Sequence, residues 1–472
     1  MSFASFKNAR VVRSSWLEEG GRRLDCNPYM SGALEARDAL RSLAARKEPL
    51  RTLTRGHAGG IYNGPMFARI WVEEPEYGVP FLGSSDMLKA DLSGLPLLKR
   101  SYAESGYLAY LELTEGTTLI TCSGTIGRMC YVRPDMVGMW SSQDIMKVVP
   151  DASHIPPGYL YAFLSSRYGV PLVISGTYGA IIQHIEPEHI AYLPVPRFSE
   201  DVEDAVSTLV DSAAQARAEA VQLVKHAQTL LFDMLALKRP TSVHCLPKPD
   251  VTWVASDCIL DRADAYYYSS RNSEARNSFD DSGNNVALSD VVEVFIPPIF
   301  KRRYASSPQF GSPYITGGDV FELNPTSEKY LMRRVAAEYR LMLQKGMIVI
   351  QEAGQLGGLI GRSVMVGRHL DGFSCSNNMI RIVSEDDVDA GYLFALLSSE
   401  YGVRLLSREA AGSSIPHTDE QRVSRLRIPW PNKPTRERIS QLAIRARELR
   451  DQACQLESEA REKVEACIGG AR

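Results

Sequence analysis

Basic and aromatic side chains are interleaved at three places in this 472-residue chain. Lys99 and Arg100 lie in "LLKRSY" (97–102), and Lys301, Arg302, Arg303 and Tyr304 in "FKRRY" (300–304). Arg333 and Arg334 lie in "MRRVAAEYR" (332–340), while Arg69 and Arg128 stand near further turns. Long cationic arms neutralise phosphates, and rings beside glycine turns suit the edge of a groove, so the mixture fits nucleic-acid contact. Each cluster taken singly is also what solvated surface charge looks like. Reading bases requires specific donors and acceptors in the major groove. Asn63, Thr125, Gln183, Gln355, Ser413 and Ser414 supply them, with Tyr178 among them. His184 and His417 occur at equivalent places, but neither has a repeated Cys, Asp or Ser beside it. They read as structural or DNA-facing hydrogen-bond donors rather than as catalytic bases.

Catalytic chemistry is not signalled. "AGQLGGLIG" (353–361) has the glycines of a phosphate loop, yet its counterpart "SGTIGRMCYV" lacks the further glycines and neither carries a Walker lysine. A tight turn between strands accounts for both. "NPY" (Asn27 to Tyr29) resembles the NPPY-type motif with which amino-methyltransferases hold a flipped adenine. It lacks the second proline, and no glycine-rich cofactor segment accompanies it. The eight cysteines are scattered and never form CxxC, so neither a zinc site nor a disulfide framework is indicated. No HExxH, GxSxG, PD-(D/E)xK-like or DEAD-like signature occurs. The expectation is a binding protein with no catalytic residue, no metal and no cofactor of its own.

The elements that must position these residues come twice. "GYLYAFLSSRYGV" begins at Gly158 and "GYLFALLSSEYGV" at Gly391, an offset of 233 with ten of thirteen positions identical. At the same offset Gly179 falls on Gly412, Ile182 on Ile415, His184 on His417 and Pro196 on Pro429. Upstream, with small slips, Gly124 and Gly127 match Gly354 and Gly357, "SSQDIMKVV" matches "SNNMIRIV", and "GVPFLGSSDM" matches "GSPYITGGDV". "RLDCNPYM" (23–30) faintly matches "RADAYYYS" (262–269). The chain therefore reads as a tandem duplication of a unit of roughly 235 residues, too few copies for a solenoid and suited to a pseudo-twofold molecule. Short β-branched runs such as "GTTLITCSG", "DIMKVVP" and "KGMIVIQEAG" predict strands. The duplicated phrase predicts a core helix with Leu160, Phe163 and Leu164 on one face. Segments that repeat build a frame, and segments that differ are where different sequences would be read.

Each unit closes on a long helix. Val206, Leu209, Ala213, Ala216, Ala220, Leu223, Ala227, Leu230 and Met234 keep a 3,4 spacing, and Ile439, Leu442, Ala446, Leu449, Ala453, Leu456 and Ala460 repeat its phase. Ser199 is the N-cap candidate, followed by acidic residues that complement the positive end of the helix dipole. The first seam is about 42 Å long. A Pro-rich linker, "KRPTSVHCLPKPD" (238–250), leads straight into the second globular part, so an antiparallel pair of helices gives the shortest connection. Two recognition heads at opposite ends of such a rod can reach one face of DNA about one turn apart.

Net charge is −3, with 44% apolar and 23% charged residues, so no global basic field advertises a polyanion partner and local patches would have to do that work. The N-terminus lacks the apolar region of a secretory signal, and no stretch approaches the length of a membrane span. The expected location is the cytoplasm.

In the order of these blocks the chain resembles the specificity subunits of Type I restriction-modification systems, over nearly its whole length. The resemblance is carried by Gly124/Gly127 and Gly354/Gly357, by the duplicated "GYLYAFLSS"/"GYLFALLSS" helix, and by "GTYGAIIQHI…LPVP" and "AAGSSIPHT…LRIPWP", each leading into a long helix. It implies an α+β fold: two mixed α/β target-recognition domains (1–198 and 251–431) joined by two antiparallel coiled-coil helices (199–237 and 432–468), with the linker at 238–250. It implies double-stranded DNA as a partner. It also implies methyltransferase subunits, two of them, that hold S-adenosylmethionine and modify adenine N6, and in restriction complexes a translocating nuclease subunit. Two rival classes stay open: an enzyme in its own right, and a coiled-coil scaffold or inhibitory homologue that binds the methyltransferase without reading DNA.

Overall fold

In the computed structural model the chain is mixed α/β, and the residues described are 11–19, 29, 31–175, 184–241, 249–256, 259, 262–412 and 414–470. It divides into two compact units, Met1–Ala218 with Ala453–Arg472, and Glu219–Gln452. The division falls inside both long helices, so each unit holds part of each.

The first unit contains β1 (Lys47–Pro49), β2 (Ile61–Tyr62), β3 (Trp71–Val72), β4 (Gly78–Leu82), β5 (Leu97–Lys99), β6 (Thr118–Thr121), β7 (Met129–Tyr131), β8 (Trp140–Ser141), β9 (Ile145–Val148) and β10 (Pro194–Pro196). One sheet has the order β2-β9-β6-β7, antiparallel throughout. A second has the order β3-β5-β4-β8, with β4 and β8 parallel. β1 and β10 form a separate antiparallel pair. β6 and β9 are the "GTTLITCSG" and "DIMKVVP" strands; all their residues are buried, which suits β-branched and apolar side chains covered on both faces.

The second unit contains β11 (Asn285–Ala287), β12 (Glu293–Phe295), β13 (Gly311–Ile315), β14 (Tyr330–Met332), β15 (Ile348–Gln351), β16 (Ser363–Met365), β17 (Ser374–Cys375), β18 (Met379–Val383) and β19 (Arg427–Pro429). Its sheets have the orders β12-β18-β15-β16 and β14-β13-β17, with β11 paired to β19. In the β6–β7 turn Gly124 and Gly127 have φ of 75° and 80°, and Gly354 and Gly357, after β15, have 146° and 82°. Side chains other than glycine rarely adopt such values, which is why these glycines recur at turns.

The duplicated phrase is not one helix with one apolar face. It breaks into Pro157–Leu164 and Gly169–Ile174, and in the second unit into Asp387–Leu397 and Glu400–Arg408. Every residue from Gly158 to Leu164 is buried, because one side meets the sheet core and the other meets a long helix. A Cβ on Gly158 would lie 2.8 Å from the Cα and carbonyl oxygen of Ser207, and one on Gly391 would lie 3.0 Å from the carbonyl oxygen of Ser440. Tyr159 and Tyr392 each donate a phenolic hydrogen bond to the carbonyl of Pro196 and Pro429. Ser166 and Ser399 donate to the carbonyls of Phe163 and Leu396 and accept the N–H of Gly169 and Gly402, which closes the break. Gly158, Tyr159, Ser166 and Gly169, four of the identical letters, are thus fixed by backbone contacts that recur in the second copy.

The long helices are Glu200–Met234 and Lys433–Gly469. Val202 and Glu203 donate to the Ser199 carbonyl, and the Glu203 carboxylate accepts the Phe198 N–H and the Arg197 guanidinium, fixing the first turn. Along the expected seam Val206, Ala213, Ala216, Ala220 and Ala227 are buried, whereas Leu209, Leu223, Leu230 and Met234 are half-buried. The buried stripe is wider than the seam and includes Val210, Ala214 and Leu231. In the first unit Val206, Val210 and Ala214 share a core with Ala460, Val464 and Ile468. In the second, Ala227 and Leu231 share one with Ile439 and Ala443. No described helix is long and apolar enough to cross a membrane.

Candidate nucleic-acid interface

In each unit an exposed loop is anchored on aromatic rings. Residues 63–70 lead from β2 into β3, where Trp71 pairs with Leu98 of β5. Phe67 and Trp71 meet Phe81 of β4 edge-on, with ring centroids 6.0 and 5.6 Å apart. Arg69 lies 5.4 Å over the Phe81 ring and donates to Gln143 Oε1 at 3.3 Å. In the second unit residues 296–303 leave β12, and Tyr304 bridges to Leu331 of β14. Phe300 and Tyr304 meet Tyr314 of β13 at 6.4 and 6.1 Å. Arg302 lies 5.9 Å over Tyr314 and donates to its hydroxyl at 3.1 Å. Burial raises the Tyr314 phenol above its usual range, so it meets Arg302 as a neutral acceptor. Arg69 and Arg302 therefore occupy matching places. The guanidinium carbons lie 5.4 and 5.9 Å from their ring centroids at the surface, a range in which exposed cation–π contact contributes about 0.5–1 kcal/mol.

Around these arginines the side chains change. Ala68, Ile70 and Trp71 stand where the second unit has Lys301, Arg303 and Tyr304, and all six are exposed. Lys99 is exposed beside this loop, its N–H donating to the Ile70 carbonyl at 2.8 Å; Met332 donates to the Arg303 carbonyl at 2.9 Å in the same way. Arg100 and Arg333 are committed elsewhere. Arg100 binds the carbonyls of Gly78 and Glu76 at 2.9 and 3.2 Å, and Arg333 that of Gly311 at 3.3 Å. They fasten strand ends. Arg334 is exposed next to Arg333 at the start of a short helix.

A second group gathers at the end of each four-stranded sheet. Thr125 and Arg128 are exposed on the β6–β7 turn, which Thr121 braces by donating to the Thr125 carbonyl and accepting the Arg128 N–H at 3.0 Å. His184 bridges to Ser123 of this turn, and Asn63 donates to Glu186 at 3.2 Å. In the second unit Gln355 is exposed on the turn after β15, Gly354 donates to the Pro416 carbonyl at 3.2 Å, and His417 Nδ1 is 3.2 Å from Glu352 Oε1. Ser414 is exposed in the same returning segment. Tyr178, Gln183 and Ser413 lie outside the described residues, as does most of "RLDCNPYM".

Two features beyond the sequence-predicted set join this surface. Gln143, through its bond to Arg69, ties the loop to the strand-end group. Beneath it lies a buried cation: Lys147, paired with Leu119, donates to the Ser142 carbonyl at 3.1 Å, and burial lowers its pKa to about 7. Arg381, paired with Val349, donates to the carbonyls of Met379, Cys375 and Ser376 at 2.8, 3.1 and 3.1 Å, and burial lowers it to about 10. The signal was present in "SSQDIMKVV" and "SNNMIRIV", where a repeated block keeps a cation and varies its amides.

Burial raises the thiols of Cys122, Cys130 and Cys375 to about 11, so none is a thiolate nucleophile near neutral pH. Among the described residues no three His, Cys, Asp or Glu side chains group so as to hold a metal ion. What the surface offers is cations, rings and amides on a braced backbone.

No protein-family model matches the chain, and no curated protein does. Among solved structures, the Type-I restriction-modification system S subunit from M. genitalium is 12% identical; the match covers 91% of this chain and 96% of that one, with a TM-score of 0.36. The chain is similar to Type I S subunits. The HsdS subunit from Thermoanaerobacter tengcongensis is 13% identical over 90% of this chain and 96% of that one, with a TM-score of 0.27. A chain from a structure on assembly of the type I R-M system is 11% identical over 90% and 97%, with a TM-score of 0.27.

Proposed function

We propose that the chain is a sequence-specific DNA-binding specificity subunit, a tandem duplication whose two target-recognition domains (1–198 and 251–431) each read half of an asymmetric, gapped site. The observation that carries this reading is the aromatic-anchored arginine loop. Arg69 on Phe81 and Arg302 on Tyr314 keep one frame, while the exposed residues beside them differ between the units. A constant frame with variable outward side chains is what two different half-sites require. The helices at 199–237 and 432–468 pair antiparallel and set the unread spacer, and the linker at 238–250 joins the domains. The partner, in this reading, is an adenine-N6 methyltransferase present as two subunits, which holds the S-adenosylmethionine and performs the chemistry. A nuclease subunit joins in restriction complexes. The chain acts in the cytoplasm without catalysis of its own.

The test is a genome-wide adenine-methylation map by long-read sequencing, with the gene present and deleted. Loss of one gapped motif on deletion is expected. An unchanged map would leave the chain as a scaffold or inhibitory homologue, and the proposal would fall.

A further inference from the structure

Met66 and Ile299 are the most exposed large apolar residues of their loops, at 88% and 87%. Each follows a proline, Pro65 and Pro298, and precedes an anchoring ring, Phe67 and Phe300. Three residues further on comes the arginine held on the ring of β4 or β13. Single exposed apolar side chains are ordinary on protein surfaces and call for no explanation. These two stand at matching positions of matching frames. The backbone on both sides of each is restrained, by proline before and by ring packing after, so exposure is built in rather than left by a loose loop.

Resting on the DNA-reading proposal, we infer that Met66 and Ile299 are wedges that insert between stacked base pairs and kink the duplex, one at each half-site. The occupant follows from the neighbours. An apolar tip flanked by arginine, with Lys99 beside one and Lys301 and Arg303 beside the other, suits a ligand that is anionic outside and apolar within. A base step between two phosphates has that character. Unbranched Met and branched Ile are among the side chains that unstack a step when a neighbouring cation holds the backbone. The step opened is flexible, a pyrimidine–purine step being the easiest to unstack. Part of the specificity of each unit then comes from how readily its step deforms, at base pairs no hydrogen bond touches.

The test uses the full-length chain at low ionic strength, where phosphate contacts are strongest. A random-sequence duplex pool is first enriched by the chain. The enriched duplex, with a donor dye at one end and an acceptor at the other, is then titrated with the wild type, M66A, I299A, M66L and I299L. Both side chains are exposed, so alanine leaves the packing in place. Wild type is expected to bring the duplex ends together. Each alanine variant should lose the bend at its own half-site and bind about ten- to a hundredfold more weakly, the loss of one buried apolar side chain. The leucine variants should bend as wild type does. A mismatch placed at the opened step should restore the affinity of the alanine variant, because unstacking is then done beforehand. An enriched sequence that stays straight, or alanine variants that bend and bind like wild type, overturns the wedge and leaves the recognition proposal standing. A pool with no enrichment overturns the recognition proposal, and the wedge with it.

Discussion

The two units place different residues on equivalent backbone, and the pattern of exchange separates frame from function. Several side chains that bond backbone are kept: Tyr159 and Tyr392, Ser166 and Ser399, and Arg100 and Arg333 make matching contacts with matching carbonyls. Where a side chain faces outward, charge and size change, as from Ala68 and Ile70 to Lys301 and Arg303. Buried positions fall between these extremes. Lys147 and Arg381 are both cations that satisfy backbone carbonyls, but they differ in how many they reach and in how they titrate. A backbone partner constrains the geometry of its donor, whereas solvent tolerates nearly any side chain, and at these positions the exchange follows what the residue touches.

The sharpest break in the comparison lies on the long helices. In the first unit Arg217 and Glu457 form a buried ion pair, and Tyr161 and Arg461 donate to the same carboxylate, each at 3.3 Å. Burial by itself lowers the Arg217 pKa, but the Glu457 charge and hydrogen bond more than reverse this, so the guanidinium keeps its charge. At the offset of 233 the second unit has Arg450 and Val224, which cannot make that pair. Removing one partner of a buried pair leaves an uncompensated charge and costs about 3–5 kcal/mol, whereas replacing both with apolar residues is often neutral. Glu457→Gln should therefore destabilise the first unit by that amount, and a Met pair at 217 and 457 should recover most of it. Hydrogen exchange at β6 against β15 locates the effect. Equal loss of protection at both strands would show that the pair does not belong to the first unit alone.

A smaller difference is expected where the units look alike. Gly158→Ala would drive a methyl into the Cα and carbonyl of Ser207, backbone that cannot step aside. At Gly391 the nearest atom is the Ser440 hydroxyl, which can rotate away, although the Ser440 carbonyl remains at 3.0 Å. Overpacking of this kind costs about 1–3 kcal/mol. Gly158→Ala should lie toward the upper end and Gly391→Ala toward the lower, as read from urea denaturation. The reverse order would mean that the first long helix yields more easily than its backbone contact implies.

How much of this was legible in the sequence depends on whether the relevant signal is local. The strands β6, β9 and β15 were, because β-branched runs between glycines carry their own period. The turn glycines were, because left-handed backbone selects the residue. The phrase at 158–170 was legible as helical but not as two helices, since the break is made by Ser166 bonding across to Phe163 and Gly169 rather than by a proline. The long helices showed a narrow seam because periodicity counts Leu209 and Leu230, whereas the structure buries Val210 and Leu231 against the sheet side as well. At the interface, Arg69 and the Arg302 cluster are separate signals in the sequence. That they share one place needed the ring contacts to Phe81 and Tyr314. Arg100 and Arg333 carried the same charge signal as their neighbours, yet geometry spends that charge on carbonyls.

On DNA, the matching arginines should give matching but separable losses. Arg302→Ala or Arg69→Ala removes one guanidinium from its own half-site. If the contact is to phosphate, binding should weaken uniformly across sequences and the salt slope should fall by about 1; if it is to a guanine edge, discrimination at one base pair should fall by about 1–3 kcal/mol. Competition binding with half-site mutants separates the two. A loss in the half-site read by the other unit would contradict the assignment of one loop to one half-site.

The smallest effect is the one that depends on pH, and it should distinguish the two buried cations. Burial lowers Lys147 from 10.5 to about 7, with Cys122 and Asp144 opposing that shift, and it lowers Arg381 from 12.5 to about 10. Below pH 7 both the folded and unfolded chains hold the Lys147 proton, and the folded state bears the full penalty of a buried charge. From pH 7 to 10.5 the unfolded chain keeps the proton while the folded chain releases it, so stability rises with pH across that window. For Arg381 the corresponding rise begins only near pH 10. Between pH 7 and 9, therefore, release of this proton should shift the unfolding of the first unit to higher urea and leave the second unit unaffected. Lys147→Met should remove the rise, since a side chain without a proton to release cannot link folding to pH. An equal rise in Lys147→Met would assign the pH dependence to other groups and leave Lys147 charged in the folded protein, held by the Ser142 carbonyl and the nearby Asp144.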